Sequence, residues 1–352
     1  MTVPTPGGSS SPPAGGIPTA VARLVGALVP DGASATYRRL FDSMLTTVVG
    51  LAEGGTEIID LKVADSALAE MAEAFRVFQP FRRRKKVTIF GSARTLPDHP
   101  AYRSTRSLAA SMAEADWMVV TGAGPGIMAA GMEGAGRAQS IGVNIRLPFE
   151  QGVNSFIAQD PKLVEMRFFF TRKLMLIKES DGYVVLPGGF GTLDEGFELL
   201  TLLQTGKAEP APVVLLDVPG DTYWSGWDHF MHTDVESRGL VSPDDRALFM
   251  ITDDVAEAAE EILGFYRNYQ SCRWVGDLLV MRMLVEPDKA QLAELNRQFG
   301  DIVASGVMRL SKPLPPERTY HDHLDHARLV FRFDKVHFGR LRQLIDTLNQ
   351  IS

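Results

Sequence analysis

The chain has 352 residues, 45% of them hydrophobic and 22% charged, with a formal net charge of -7; this is ordinary globular composition, sufficient for one large domain or two smaller ones. The acidic balance disfavours a nucleic-acid partner, because a polyphosphate backbone repels it, and no apolar run approaches the roughly 20 residues of a membrane span. A single cysteine, Cys272, excludes an intrachain disulfide, and no His/Cys set has zinc spacing, so the expectation is a cytoplasmic protein with no metal.

Residues 1–30 open Pro/Gly/Ser-rich, without the charged and apolar regions of a signal peptide, and read as a disordered tail. Residues 31–80 are predicted as a helical segment, from apolar periodicity over Ala33–Val49 and Ala64–Phe78, with Asp65 as the second N-cap. The basic run Arg82–Lys86 reads as a solvated strand entry rather than a phosphate patch.

Over residues 81–269 the pattern alternates. Strands are predicted at Val87–Phe90, Trp117–Val120, Ile141–Ile145, Gly182–Leu186 and Val213–Leu216, with Lys162–Phe169 extended. Helices are predicted at Tyr102–Ala115, Ile127–Gln139, Arg172–Lys178, Leu193–Leu203, Trp224–Val235 and Val255–Tyr266. Short apolar strands alternating with helices predict an α/β fold: a Rossmann-like, doubly wound parallel sheet that binds ligands beyond the carboxyl ends of its strands.

Residues 270–352 predict a small C-terminal α+β unit, with strands at Leu278–Leu284, Val307–Ser311 and Ala327–Phe333 and helices at Lys289–Val303 and Asp334–Asn349. His321, His323 and His326 sit in its polar loop and read as a surface turn. Lys335, His337, Arg340 and Arg342 read as a solvated helix face or an anion contact.

The strongest motif is Leu186-Pro187-Gly188-Gly189-Phe190-Gly191-Thr192-Leu193-Asp194-Glu195, which joins a strand to a helix. Gly188, Gly189 and Gly191 let the backbone approach a ligand, the helix N-terminus favours a phosphate, and Thr192 is placed to cap the helix and donate its hydroxyl. Thr121-Gly122-Ala123-Gly124-Pro125-Gly126 is a second such turn. It fails as a dinucleotide fingerprint, because the third glycine would fall at Ile127 and no acidic residue closes the next strand. Gly122, Gly124 and Gly126 remain candidate contacts to a mononucleotide. Arg172 and Lys173 read, on their own, as a helix start with solvated charges, or as a clamp for phosphate or carboxylate, and Ser92, in Gly91-Ser92-Ala93-Arg94, falls on the same sheet edge.

The decapeptide resembles the P-G-G-x-G-T-x-x-E signature of the Lonely Guy (LOG) family. Phe169-Phe170-Thr171-Arg172-Lys173 resembles that family's Arg-Lys motif, though Phe169-Phe170-Thr171 stands where a Met-His pair is usual. Thr121–Met128 and Gly239-Leu240-Val241-Ser242-Pro243 match as well. The resemblance covers residues 87–266 and leaves residues 1–80 and 270–352 without counterparts in the short members. It implies a homodimer that hydrolyses nucleoside 5′-monophosphates, purine or cytokinin nucleotides among them, to free base and ribose 5-phosphate. Arg172 and Glu195 would then be catalytic, and neither a metal nor an organic cofactor is required. The alternative is a non-catalytic carrier of a nucleotide or of molybdenum cofactor that uses the same phosphate cradle.

Overall fold

A computed structural model describes residues 16–146 and 152–351. By internal contacts it divides at Ala69/Glu70. The first unit holds helices α1 (Gly16–Leu28) and α2 (Ala35–Glu53) and the beginning of α3 (Ile58–Phe78). Val21, Val25 and Val29 bury against Phe41, Leu45 and Val49. The Ser34 hydroxyl caps α2 by accepting from the Tyr37 amide at 3.2 Å, which satisfies one of the first-turn donors. Over residues 16–28, helix α1 stands where a disordered tail is expected: Val21, Val25 and, just past its end, Val29 give it a face to bury. Residues 1–15 lie outside the described residues. Asp65 is not an N-cap, because α3 starts seven residues earlier, at Ile58.

In the second unit, seven parallel strands form one sheet: β1 (Lys86–Phe90), β2 (Met118–Thr121), β3 (Ser140–Ile145), β4 (Leu163–Met166), β5 (Gly182–Val185), β6 (Val213–Leu216) and β7 (Met250–Thr252), in the order β4-β3-β2-β1-β5-β6-β7. Alternate side chains of a strand point to opposite faces. Accordingly Val119 and Val184 belong to one buried cluster and Val120 and Val185 to the other. A sheet buried on both faces needs unbroken apolar strands, which is what the sequence supplies. Helices α4 (Pro100–Glu114), α5 (Ile127–Gln139), α6 (Phe169–Lys178), α7 (Phe190–Gln204), α8 (Tyr223–Phe230) and α9 (Val255–Gly264) follow in chain order. Phe78 and Trp224 pack into one of the two clusters. The basic run is consumed partly inside the fold: Lys85 pairs with Asp181 at 2.9 Å, and Lys86 is buried in β1, where burial pushes its pKa down.

Strand order reverses between β1 and β5, so the chain leaves their carboxyl ends in diverging directions and a crevice opens there. This places the turns after β1, β2 and β5 around one opening.

A second, antiparallel sheet follows, from β8 (Tyr269–Val275), β9 (Leu278–Met283), β10 (Val303–Leu310) and β11 (Ala327–Phe333), in the order β10-β11-β9-β8. It covers α10 (Lys289–Gln298) and α12 (Phe338–Leu348) with a core of Phe299, Ile302, Leu329, Phe331, Leu344 and Ile345; α11 (Pro315–Thr319) is a single turn. Strand β8 does not read as a strand in the sequence, because its residues are half-buried and mixed in polarity. The two sheets are joined closely. Asn349 Oδ1 accepts from the amides of Asn268 (2.9 Å) and Tyr269 (2.8 Å), and its amide donates to Phe265 O at 2.7 Å. Three of the basic set at and before α12 are taken up by carboxylates: Arg340 pairs with Asp301, Arg342 with Glu261 and Asp346, and His337 with Asp334, while Lys335 lies over the Trp274 ring.

Candidate active site

Helix α7 begins at Phe190, with Gly189 at its cap position. The expectation that Thr192 caps the helix and that the helix starts at Leu193 is therefore corrected. Thr192 is the third helical residue, and its buried side chain folds over Gly188 instead. A Cβ on Gly188 would come within 2.2 Å of Thr192 Oγ1, so glycine is needed there for contact and not for an unusual φ. A Cβ on Gly189 or Gly191 would meet nothing within 4 Å; both face open space. The first amides of a helix have no intrahelical acceptor, and no acidic residue stands in the first turn of α7 to neutralise them. The result is an anion-favouring corner beside β5.

The turn after β2 leans on the turn after β1. The Ile127 amide donates to Ser92 O at 3.0 Å, and Gly126, at φ +66°, passes so close that a Cβ would sit 2.3 Å from the same oxygen. Ala123 also takes a positive φ, +59°; the Asn154 side-chain amide holds it by donating to Ala123 O (2.9 Å) and Gly124 O (3.0 Å). Ser92 Oγ accepts from the Arg94 amide at 3.1 Å, which shapes its own turn.

Arg172, on α6, is 7% exposed. Its Nε donates to Val143 O at 3.0 Å and its Nη1 to Glu195 Oε1 at 3.0 Å. Gly122 makes room for it: a Cβ there would fall 1.8 Å from Arg172 Nη2. Burial pushes the Glu195 carboxyl above its usual range, with Arg172 pulling the other way. One carboxylate oxygen is thus tied to a fixed cation, in a site where little water screens it.

These groups border a cleft of about 1020 Å³, at the upper end of the size of small-molecule sites. Ser92, Gly122, Gly124, Gly188, Gly189, Gly191, Thr192, Arg172 and Glu195 all line it. Two of the expected residues do not. Gly126 is taken up in the packing of the two turns, and Lys173 points its ammonium at Asp194 (3.1 Å) and Glu198. Burial would lower the Lys173 pKa, but those two carboxylates raise it overall. Phe169, the first residue of the Arg-Lys motif, lines the cleft as well, and so do Asn144, Arg146 and Tyr223, which were not singled out. These last three come from β3, the residue after it, and the start of α8, with no local motif to mark them.

Residues 126–262 match the family model described as "Possible lysine decarboxylase". The chain is 36% identical over 101 residues to the cytokinin riboside 5′-monophosphate phosphoribohydrolase LOG3 of Arabidopsis thaliana, which covers 29% of this chain and 43% of that relative. It is 35% identical over 99 residues to LOG1 of the same plant, covering 28% and 45%. The chain thus spans less than half the length of the curated relatives it matches. Among solved structures, a molybdenum cofactor carrier protein from Chlamydomonas reinhardtii is 21% identical, with a TM-score of 0.35, covering 50% of this chain and 94% of that one. The molybdenum cofactor binding protein of Rippkaea orientalis is 18% identical, with a TM-score of 0.36, covering 51% and 94%. The Lonely Guy resemblance carried by the sequence motifs agrees with the names of these plant relatives, and the family model spans residues 126–262 of the sheet domain.

Proposed function

We propose that this chain, whose sheet domain is similar to the Lonely Guy phosphoribohydrolases, hydrolyses the N-glycosidic bond of a purine or cytokinin nucleoside 5′-monophosphate. The observation that carries the reading is the Arg172–Glu195 pair, fixed at 3.0 Å on the wall of the cleft, one helical turn from the free amides that begin α7.

A 5′-phosphate on the amides of Gly189, Gly191 and Thr192 leaves the ribose beside Glu195. Heterolysis of the C1′–N bond places positive charge on the sugar, and the carboxylate opposes that charge and orients or deprotonates the attacking water. Water supplies the hydroxyl to C1′ and the proton to the departing base, so the reaction balances without another reactant. Arg172 does not touch the reacting carbon in this scheme; it holds Glu195. Anchoring the remote phosphate supplies binding energy that orients the anomeric carbon. As the resemblance implies, the active form is a homodimer.

The decarboxylase description of the matching family model does not fit the residues present. A pyridoxal phosphate Schiff base needs a lysine that can become neutral, whereas Lys173 is held protonated between two carboxylates.

The test is incubation with a panel of nucleoside 5′-monophosphates, following free base and ribose 5-phosphate together. Equimolar release of the two is expected. Tight binding of a monophosphate with no release would replace this reading with the carrier. With an active substrate, kcat/KM is expected to fall on acidification through an apparent pKa above the usual carboxylate value of 4.5, because protonation removes the charge the transition state needs. An acid limb at or below that value counts against Glu195.

Gly122→Ala provides an independent check. The added methyl displaces the Arg172 guanidinium and with it Glu195, so turnover is expected to drop about tenfold or more while cooperative melting is retained. Unchanged turnover would show that the Arg172 placement is immaterial.

A further inference from the structure

The phosphate turn contains one peptide whose orientation the turn itself does not fix. It joins Gly188 to Gly189, and glycine on both sides makes rotation of that plane inexpensive. One orientation offers an N–H to an incoming anion, and the other offers a carbonyl oxygen that repels it.

Tyr223 removes this freedom. Its Oη donates to Gly188 O at 2.7 Å. A peptide is planar and trans, so the Gly189 N–H must point away from that carbonyl. Among the described residues the Gly189 amide has no protein acceptor. The tyrosine is itself held in place. Asp221 Oδ1 accepts from the amides of Thr222 (2.7 Å) and Tyr223 (3.3 Å), Asp217 Oδ2 accepts from the Trp224 amide at 3.0 Å, and the Tyr223 ring meets Trp224 edge-on with centroids 4.9 Å apart.

We propose that Tyr223 is a positioning residue that locks the Gly188–Gly189 peptide with its N–H offered to the substrate's 5′-phosphate, beside the amides of Gly191 and Thr192. The inference rests on the monophosphate reading above. It assigns to a side chain 35 residues beyond Gly188 a role the glycines cannot perform for themselves.

Tyr223→Phe in the full chain removes the hydroxyl and keeps the ring. The dissociation constant for ribose 5-phosphate, measured by calorimetry, and KM for the monophosphate are expected to rise about tenfold, the worth of one ordinary hydrogen bond. The change in kcat is expected to be smaller than the change in KM, and the melting temperature close to wild type. A purely structural role would lower the melting temperature without this selective loss of phosphate affinity. Trp224→Phe is the control: it weakens the same ring packing and keeps the hydroxyl. Wild-type affinity for ribose 5-phosphate there supports the lock, and a loss matching that of Tyr223→Phe overturns it. Equal affinity of Tyr223→Phe and wild type also overturns it, while the monophosphate reading stands. Failure of the wild-type chain to bind ribose 5-phosphate overturns both.

Discussion

Glu195→Gln is expected to lower kcat about 100-fold or more while monophosphate binding stays within a few-fold of wild type. The replacement is nearly isosteric, and an amide oxygen can still accept from Arg172 Nη1, now 3.0 Å from Glu195 Oε1, so the geometry of the pair survives. The negative charge does not. Its value in the transition state is large because the side chain is mostly buried, which is also why its carboxyl titrates above the usual range. A charge that helps only when the sugar becomes cationic affects kcat and leaves ground-state affinity alone. Steady-state kinetics combined with calorimetric binding separate the two effects. A variant that turns over at the wild-type rate would sink the catalytic assignment, and one that loses binding and turnover in equal measure would recast Glu195 as a ground-state ligand.

The second large effect is on stability, and it lies far from the cleft. Glu317 is fully buried between Arg282, at 4% exposure, and Arg328, also fully buried. Its Oε1 accepts from Arg282 Nη2 at 2.9 Å, and its Oε2 accepts from Arg328 Nε and the Leu314 amide, both at 3.0 Å. Glu317→Ala leaves two guanidinium groups beneath the second sheet without their shared counter-charge. Removing one partner of a buried ionic set costs about 3–5 kcal/mol, so the midpoint of denaturant unfolding is expected to fall accordingly. A loss under about 1 kcal/mol would mean that water, together with Asp322, which already accepts from Arg282 Nη2 at 2.6 Å, makes up for the missing carboxylate. The pH dependence has a definite sign. Burial alone would raise the Glu317 pKa, but the Leu314 amide and the two arginines lower it overall. This stabilisation is therefore present above the unfolded carboxylate value and is lost as pH falls through the lower folded one. Glu317→Ala is expected to remove that component of acid sensitivity.

Much of the fold is legible in the sequence because it depends on short-range chemistry. The apolar runs of β1, β2, β3, β5 and β6 declare strands buried on both faces, and their alternation with helices declares a parallel sheet. The glycines around Gly122 and Gly189 mark the strand-to-helix turns, and such turns fall at the ligand-binding edge of this architecture. Arg172 and Glu195 were legible through motifs of a few residues each. Where the sequence alone misplaced something, a longer-range interaction decided. Thr192 has the side chain of a good cap, yet it lies inside α7 because Gly189 and Phe190 are free to start the helix earlier. Lys173 belongs to the same motif as Arg172, but adjacent residues on a helix point about 100° apart, so one reaches Val143 and Glu195 while the other reaches Asp194 and Glu198. Strand β8 carries too mixed a pattern to read as a strand, and it is held by pairing with β9 and by Asn349, some eighty residues away. Tyr223 has no motif at all. The order of β1, β5 and β6 in the sheet brings the start of α8 against Gly188, and that order is a property of the packed sheet, which no local stretch of sequence encodes.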